Sequence, residues 1–176
     1  MPVQTTYNSA PDIGYPGQII RADVIDTYWS EAGVYPGKGC IKGTDTVVTA
    51  NQYNDRNIPF GVKLPASGSD VLIGIPILTA NLLNDTNGNP WYPDEDLVAV
   101  LKKGEIYAIA GEAAASRDPV YTVYTVGDSG LAIGDLCIDA TPGTSGAAVQ
   151  IPNAYWKGVT AAGKVGIVVL GADPES

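Results

Sequence analysis

Gly127-Asp128-Ser129-Gly130 has the form of a loop that presents a serine nucleophile. Such a serine needs an imidazole to take its proton, and no histidine occurs among the 176 residues. Without histidine the chain also lacks the commonest general base and metal ligand near neutral pH. The expected reading is a glycine-bounded turn between strands. Gly158-Val159-Thr160-Ala161-Ala162-Gly163-Lys164 has the spacing of a phosphate-binding loop, but Val165 stands where a Mg²⁺-binding Ser or Thr belongs and a strand pattern follows. It reads as a hairpin.

Two acidic constellations remain. Asp85, Asn87, Asn89 and Asp96 fall at the first, third, fifth and twelfth positions of a calcium-loop register. Pro90 replaces the glycine that register needs and Asp96 is shorter than the usual glutamate, so an Asn87-Gly88 turn is expected between Asp85 and Asp96, with no metal. Asp94-Glu95-Asp96, with Glu105 beyond, offers the carboxylates of a glycoside hydrolase. Adjacent acids on a strand point to opposite faces, and acidic clusters are usually solvated. No catalytic residue, cofactor site or metal site is expected, and a carboxylate-only hydrolase is the third reading.

These residues need a scaffold, and the punctuation of the chain says which kind. Twenty-one glycines and 13 prolines cut it into short apolar and β-branched runs. Its length suits one core, so a single domain is expected, with residues 1–17 as an extended N-terminal arm and 18–176 as the β domain. A formal charge of −9 repels phosphate backbones and anionic lipid, so nucleic acid and membrane are not expected partners. The longest apolar run, Val71–Leu78, falls far short of the ~20 residues of a membrane-spanning helix. No secretory signal is read at the N-terminus, and Cys40 and Cys137 are expected as small buried thiols.

Residues 18–32 mix helical spacing with strand formers and are read as strand and loop. Strands are expected at Thr46–Ala50, Ile58–Leu64, Val71–Thr79, Leu97–Lys102, Glu105–Ala110, Val120–Val126, Leu131–Ile138, Ala154–Thr160 and Lys164–Leu170. Lys102-Lys103-Gly104 and Ala161-Ala162-Gly163 read as hairpin turns. The fold class expected is all-β, an antiparallel barrel or tulip-like sandwich. Val71–Leu78 and Val120–Val126 carry bulky groups on both faces, so Ile73, Ile75, Ile77, Tyr121, Val123 and Tyr124 are expected to supply core and some oligomer interface. Pro76, which has no N–H, is expected at an edge or bulge.

Ten tyrosines and three tryptophans against one phenylalanine favour rings with a polar tip. Trp91, Tyr92, Tyr155 and Trp156 are candidates for a sugar-stacking platform, which makes a carbohydrate-binding module the second reading.

Tyr15-Pro16-Gly17-Gln18-Ile19-Ile20, Ile58-Pro59-Phe60-Gly61-Val62, Tyr92 followed by Leu97–Tyr107, Asp118-Pro119-Val120-Tyr121 and the closing Ala161–Leu170 together resemble the capsid cement, or decoration, proteins of tailed bacteriophages. The sequence departs from that family in carrying Asp94-Glu95-Asp96 where a glycine usually follows the tyrosine. The resemblance implies a β-rich, non-enzymatic virion protein made in the host bacterial cytoplasm. It would sit on the outer surface of the expanded head, commonly as a homotrimer, and clamp neighbouring subunits of the major capsid protein. Tyr7, Ile13 and Tyr15 of the arm are then the expected capsid contacts, the arm extending a capsid sheet.

Overall fold

The computed structural model describes residues 14–43, 61–80 and 82–171. Eleven strands and no helix occur among them: β1 (Ile19–Ser30), β2 (Cys40–Lys42), β3 (Gly61–Lys63), β4 (Leu72–Pro76), β5 (Leu83–Asn84), β6 (Pro90–Trp91), β7 (Leu97–Ile109), β8 (Pro119–Thr125), β9 (Leu136–Cys137), β10 (Ala147–Trp156) and β11 (Val165–Leu170). The all-β reading holds. The expected strand at Thr46–Ala50 and the start of the one at Ile58–Leu64 lie outside the described residues.

Nine strands form one sheet in the order β1-β3-β2-β4-β7-β11-β10-β8-β9, while β5 and β6 make a separate hairpin. The sheet is mixed, not antiparallel throughout, because β1 and β3 run parallel at Trp29↔Gly61 and Ser30↔Val62. A parallel pair needs a long crossover, which the chain between Ser30 and Gly61 supplies. β1 also pairs with β7 from Ile19 to Trp29, so β1, β3, β2, β4 and β7 close into a ring of pairings. At the other end of the row a bridge from Ala110 to Leu136 brings β9 back to the end of β7.

β7 is therefore the shared spine. Val98 and Val100 enter one core cluster with Tyr28, Val34, Cys40, Val62 and Tyr92. Leu101, Ile106 and Ala108 enter another with Ile75, Val120, Leu136, Ile151, Trp156 and Val168. Val100 and Leu101 are neighbours on opposite faces and both are buried, which a strand with one solvated face does not allow.

Several boundaries correct the sequence reading. Lys102-Lys103-Gly104 is not a turn, because β7 runs through it. Gly104 has φ of 140°, and a Cβ there would strike the Arg21 carbonyl oxygen of β1, so glycine is required for close approach and not for reversal. The expected strand at Leu131–Ile138 shrinks to Leu136–Cys137, since the Asp135 carboxylate accepts the Ala132 N–H at 2.7 Å and folds the preceding residues into a turn. The strand expected at Ala154–Thr160 lies earlier, at Ala147–Trp156, and Asn153 with φ of 54° sits at an irregularity in its pairing with β8. Pro76 is not on an edge strand. β4 lies between β2 and β7, and the proline is tolerated as its last residue, with its carbonyl accepting from Gly37 N–H at 3.0 Å.

Candidate functional site

The motifs that suggested chemistry are used up in building loops. Asp128 accepts from the Thr144 N–H at 2.7 Å, from the Thr144 hydroxyl, and from the Ser145 N–H at 3.3 Å. The Thr144 hydroxyl and these amides hold the Asp128 carboxyl down at about 2. Ser129 Oγ accepts the Leu131 N–H at 3.4 Å, so the Gly127–Gly130 run is a latch between two loops. Residues 158–164 connect β10 to β11, with Gly163 at φ of 71° and Lys164 N–H donating to the Ala161 carbonyl at 3.1 Å.

Asp85 closes the β5–β6 hairpin in the same way. Its Oδ1 accepts from the Asn87 and Asn89 N–H groups at 2.8 and 2.9 Å, and these bonds, that of Asn89 first, lower its carboxyl. Among the described residues no three metal-ligating side chains gather at one point. The carboxylates of the hydrolase reading are dispersed. Asp94 Oδ1 accepts the Ala32 N–H at 2.9 Å, Asp96 Oδ1 accepts the Leu97 N–H at 2.9 Å, and Glu105 pairs with Lys157 at 2.8 Å. Asp96 and Glu105 are nine residues apart on a nearly continuous strand, about 30 Å, where glycoside hydrolysis needs less than ~10 Å.

The aromatic platform is also absent. Trp156 is fully buried at the centre of its cluster, and Tyr92 is buried with its hydroxyl donating to the Ile77 carbonyl at 2.8 Å. Trp91 lies against Tyr35, ring centroids 6.3 Å apart, and Tyr155 lies under the Arg117 guanidinium at 5.3 Å. The polar tips that suggested a wet surface serve in part to satisfy buried backbone. Cys40 and Cys137 are free and buried. Burial pushes the Cys40 thiol well above its ordinary range and, helped by the nearby Glu112 charge, the Cys137 thiol up to about 12.

What remains is a surface. Tyr15 is 71% exposed at the lip of an open groove of about 800 Å³, lined also by Pro16, Tyr35, Leu78, Ile109 and Ile133. Its polar lining is Asp85, Asn87 and Asn89 together with Lys38 and Asp135, which pair at 2.9 Å, the Lys38 ammonium lying 5.3 Å from the Tyr35 ring centre. The chain enters here under restraint. Gly17 N–H donates to the Tyr107 carbonyl at 2.8 Å and its carbonyl accepts from Leu78 N–H at 2.7 Å, tying the entry between β7 and β4. Gly14 packs so closely on the Tyr107 ring that a Cβ would collide with it. Tyr7 and Ile13 lie outside the described residues. Of the strand candidates, Ile75 and Val123 are fully buried within the chain, and Ile73, Ile77 and Tyr121 are half-buried against the core clusters. Tyr124 is half-buried, with its hydroxyl end against Gly68.

Among the described residues the chemical motifs build loops, the strands share one spine, and an exposed aromatic lip borders a groove. In fold the protein is similar to a chain from the capsid of Myoviridae phage XM1, with a TM-score of 0.63 at 16% identity over 96% of this chain and 97% of that one. It also matches the head fibre gp8.5 N base of bacteriophage phi29, with a TM-score of 0.40 at 15% identity over 87% of this chain and 98% of that one. A comparison with curated proteins finds no match. The profile of the structural cement protein family (E217 gp24/Pam3 gp6) matches residues 3–171, nearly the whole sequence, and the chain belongs to that family. Its role is accordingly structural and associated with the phage capsid.

Proposed function

We propose that this protein binds the outer surface of the expanded head and clamps neighbouring subunits of the major capsid protein, as a homotrimer whose rigid domains span the seams between them. The family match over residues 3–171 carries the reading. Its physical basis is avidity: several modest contacts made through one rigid body raise affinity by roughly 10²- to 10⁴-fold over any one of them. Residues 1–17 act as an arm that touches the capsid through Tyr7, Ile13 and Tyr15. The anchoring of Gly14–Gly17 supports this, because it gives the arm a fixed point of departure.

Deleting residues 1–13 tests the arm. The truncated protein is expected to keep its circular dichroism spectrum and melting temperature while failing to co-sediment with expanded heads. Attachment at unchanged affinity would overturn the arm's role, and failure of the full-length chain to bind heads at all would overturn the clamp.

A further inference from the structure

The tip of the β5–β6 hairpin is gathered onto one residue. Asp85 receives three successive backbone N–H groups: its Oδ1 accepts from Asn87 at 2.8 Å and from Asn89 at 2.9 Å, and its carbonyl accepts from Gly88 at 3.0 Å. Behind the tip the strands pair Leu83 with Trp91 and Asn84 with Pro90, in a sheet separate from the nine-stranded one. A two-stranded ribbon this short is marginal by itself and opens locally while the core stays folded.

Asn87 is the sole asparagine of the sequence followed by glycine, and the nearby Asn89 precedes Pro90, which has no N–H. That step can react with itself. Once the Gly88 amide proton has gone to hydroxide, the Gly88 nitrogen adds to the side-chain carbonyl carbon of Asn87; the bond from that carbon to the side-chain nitrogen breaks, ammonia leaves, and a five-membered succinimide remains. Water then opens the ring at either carbonyl. One opening gives aspartate, the other isoaspartate, whose backbone runs through the former side chain. Glycine favours the attack because no side chain crowds its nitrogen. Both residues are exposed, and among the described residues a Cβ at Gly88 would meet nothing within 4 Å.

We propose that Asn87 is a site of spontaneous modification, converted through a succinimide to aspartate or isoaspartate, and that Asp85 is its guard. With the tip closed, the Gly88 N–H is held by the Asp85 carbonyl, and the carboxylate beside it opposes the negative charge that a departing proton leaves on nitrogen. Opening the hairpin releases the N–H, so conversion runs at the rate of the free sequence multiplied by the open fraction. Loss of ammonia makes the change permanent. Aspartate adds a charge beside Asp85, and isoaspartate lengthens the tip so that its N–H groups no longer meet Asp85. Either product alters the wall that Asp85, Asn87 and Asn89 give to the groove beside Tyr15. The site goes beyond capsid attachment and is tested without a capsid.

The full chain is aged in mildly alkaline buffer beside a synthetic peptide of residues 82–92. Fragmentation mass spectrometry follows the exchange of NH₂ for OH at each asparagine, and methyltransferase labelling reads isoaspartate. Asn87 is expected to convert first in the full chain, several-fold more slowly than in the peptide. Asp85→Ala in the full chain is expected to raise the rate to that of a peptide carrying the same change, while Gly88→Ala slows conversion in chain and peptide alike. Conversion of another asparagine ahead of Asn87, or none at Asn87 over many half-lives of the peptide, would overturn the site. A native chain that converts as fast as its peptide, or an Asp85→Ala chain no faster than the native one, would overturn the guard. Unchanged circular dichroism of Asp85→Ala shows that the main sheet is folded, so that its faster conversion reports the hairpin alone.

Discussion

The two clusters that share β7 are walled in different ways. Around Trp156 the walls are β8, β10 and β11, strands of 7, 10 and 6 residues laddered to one another and to β7. Around Tyr92 the walls include β2, only three residues long, and the described part of β3, Gly61–Lys63. Where ladder is short, other bonds replace it. Tyr92 exchanges both backbone bonds with Val34, its carbonyl accepts from Ser30 Oγ at 3.3 Å, and its hydroxyl reaches Ile77. Both regions lean on the β7 ladder, which β1 joins at Tyr28↔Val98 and Asp26↔Val100; the first adds further strand pairing, and the second adds one residue that collects several different bonds. The first resists change anywhere along its strands, and the second depends on a few positions and opens at lower cost.

Removing the Trp156 side chain should break the laddered region most severely. Trp156→Ala is expected to lower unfolding free energy by about 3–5 kcal/mol in a denaturant titration, through the cavity it leaves. Trp156→Phe should cost much less, because among the described residues the buried indole N–H has no hydrogen-bond partner to lose. At the boundary between the regions, Gly74 on β4 faces the Leu101 carbonyl oxygen so closely that any Cβ would collide with it. Gly74→Ala should cost about 1–3 kcal/mol, and equal stability by thermal melting would refute the close approach.

Tyr92→Phe sharpens the contrast further. It removes the bond to Ile77 and should cost about 1 kcal/mol. Amide exchange should quicken at Ile41 and Val62 and stay unchanged at Ile106 and Val168, unless the two clusters open as one unit. The smallest effect is expected at the Asp128 latch. Its carboxyl titrates at about 2 when folded against an ordinary 3.8, so its stabilisation is present above pH 4 and fades as pH falls from there toward 2. Asp128→Asn should flatten that acid limb of a stability–pH profile by lowering the neutral plateau toward its acid value.

The strand content was readable because β-branched runs and turn residues act locally. From Val120 to Val123 the run is covered on both faces, Val120 and Val123 belonging to different clusters and both fully buried, while Val126 is 56% exposed. What escaped reading was set by distant partners. Gly104 looks like a turn glycine until β1 is laid beside it, and Trp156 looks like a surface ring until three strands enclose it. The parallel β1–β3 pair leaves no local signature at all. Of the candidate site, the exposure of Tyr15 accords with an arm root, but the groove beside it joins residues from 15 to 135 and could not be assembled from spacing. Glu95 records a departure of another kind. It holds φ of 62° at the entry to β7, a conformation glycine adopts freely, on the stretch where the resembling family usually carries glycine.

β7 is hydrogen-bonded to β1 along nearly its whole length, and on its opposite flank to β4 and then β11. A pull along its axis loads those transverse bonds in parallel, so they must shear together instead of peeling one at a time. Any load applied along β7 would meet a tie rod, stiff along its own axis.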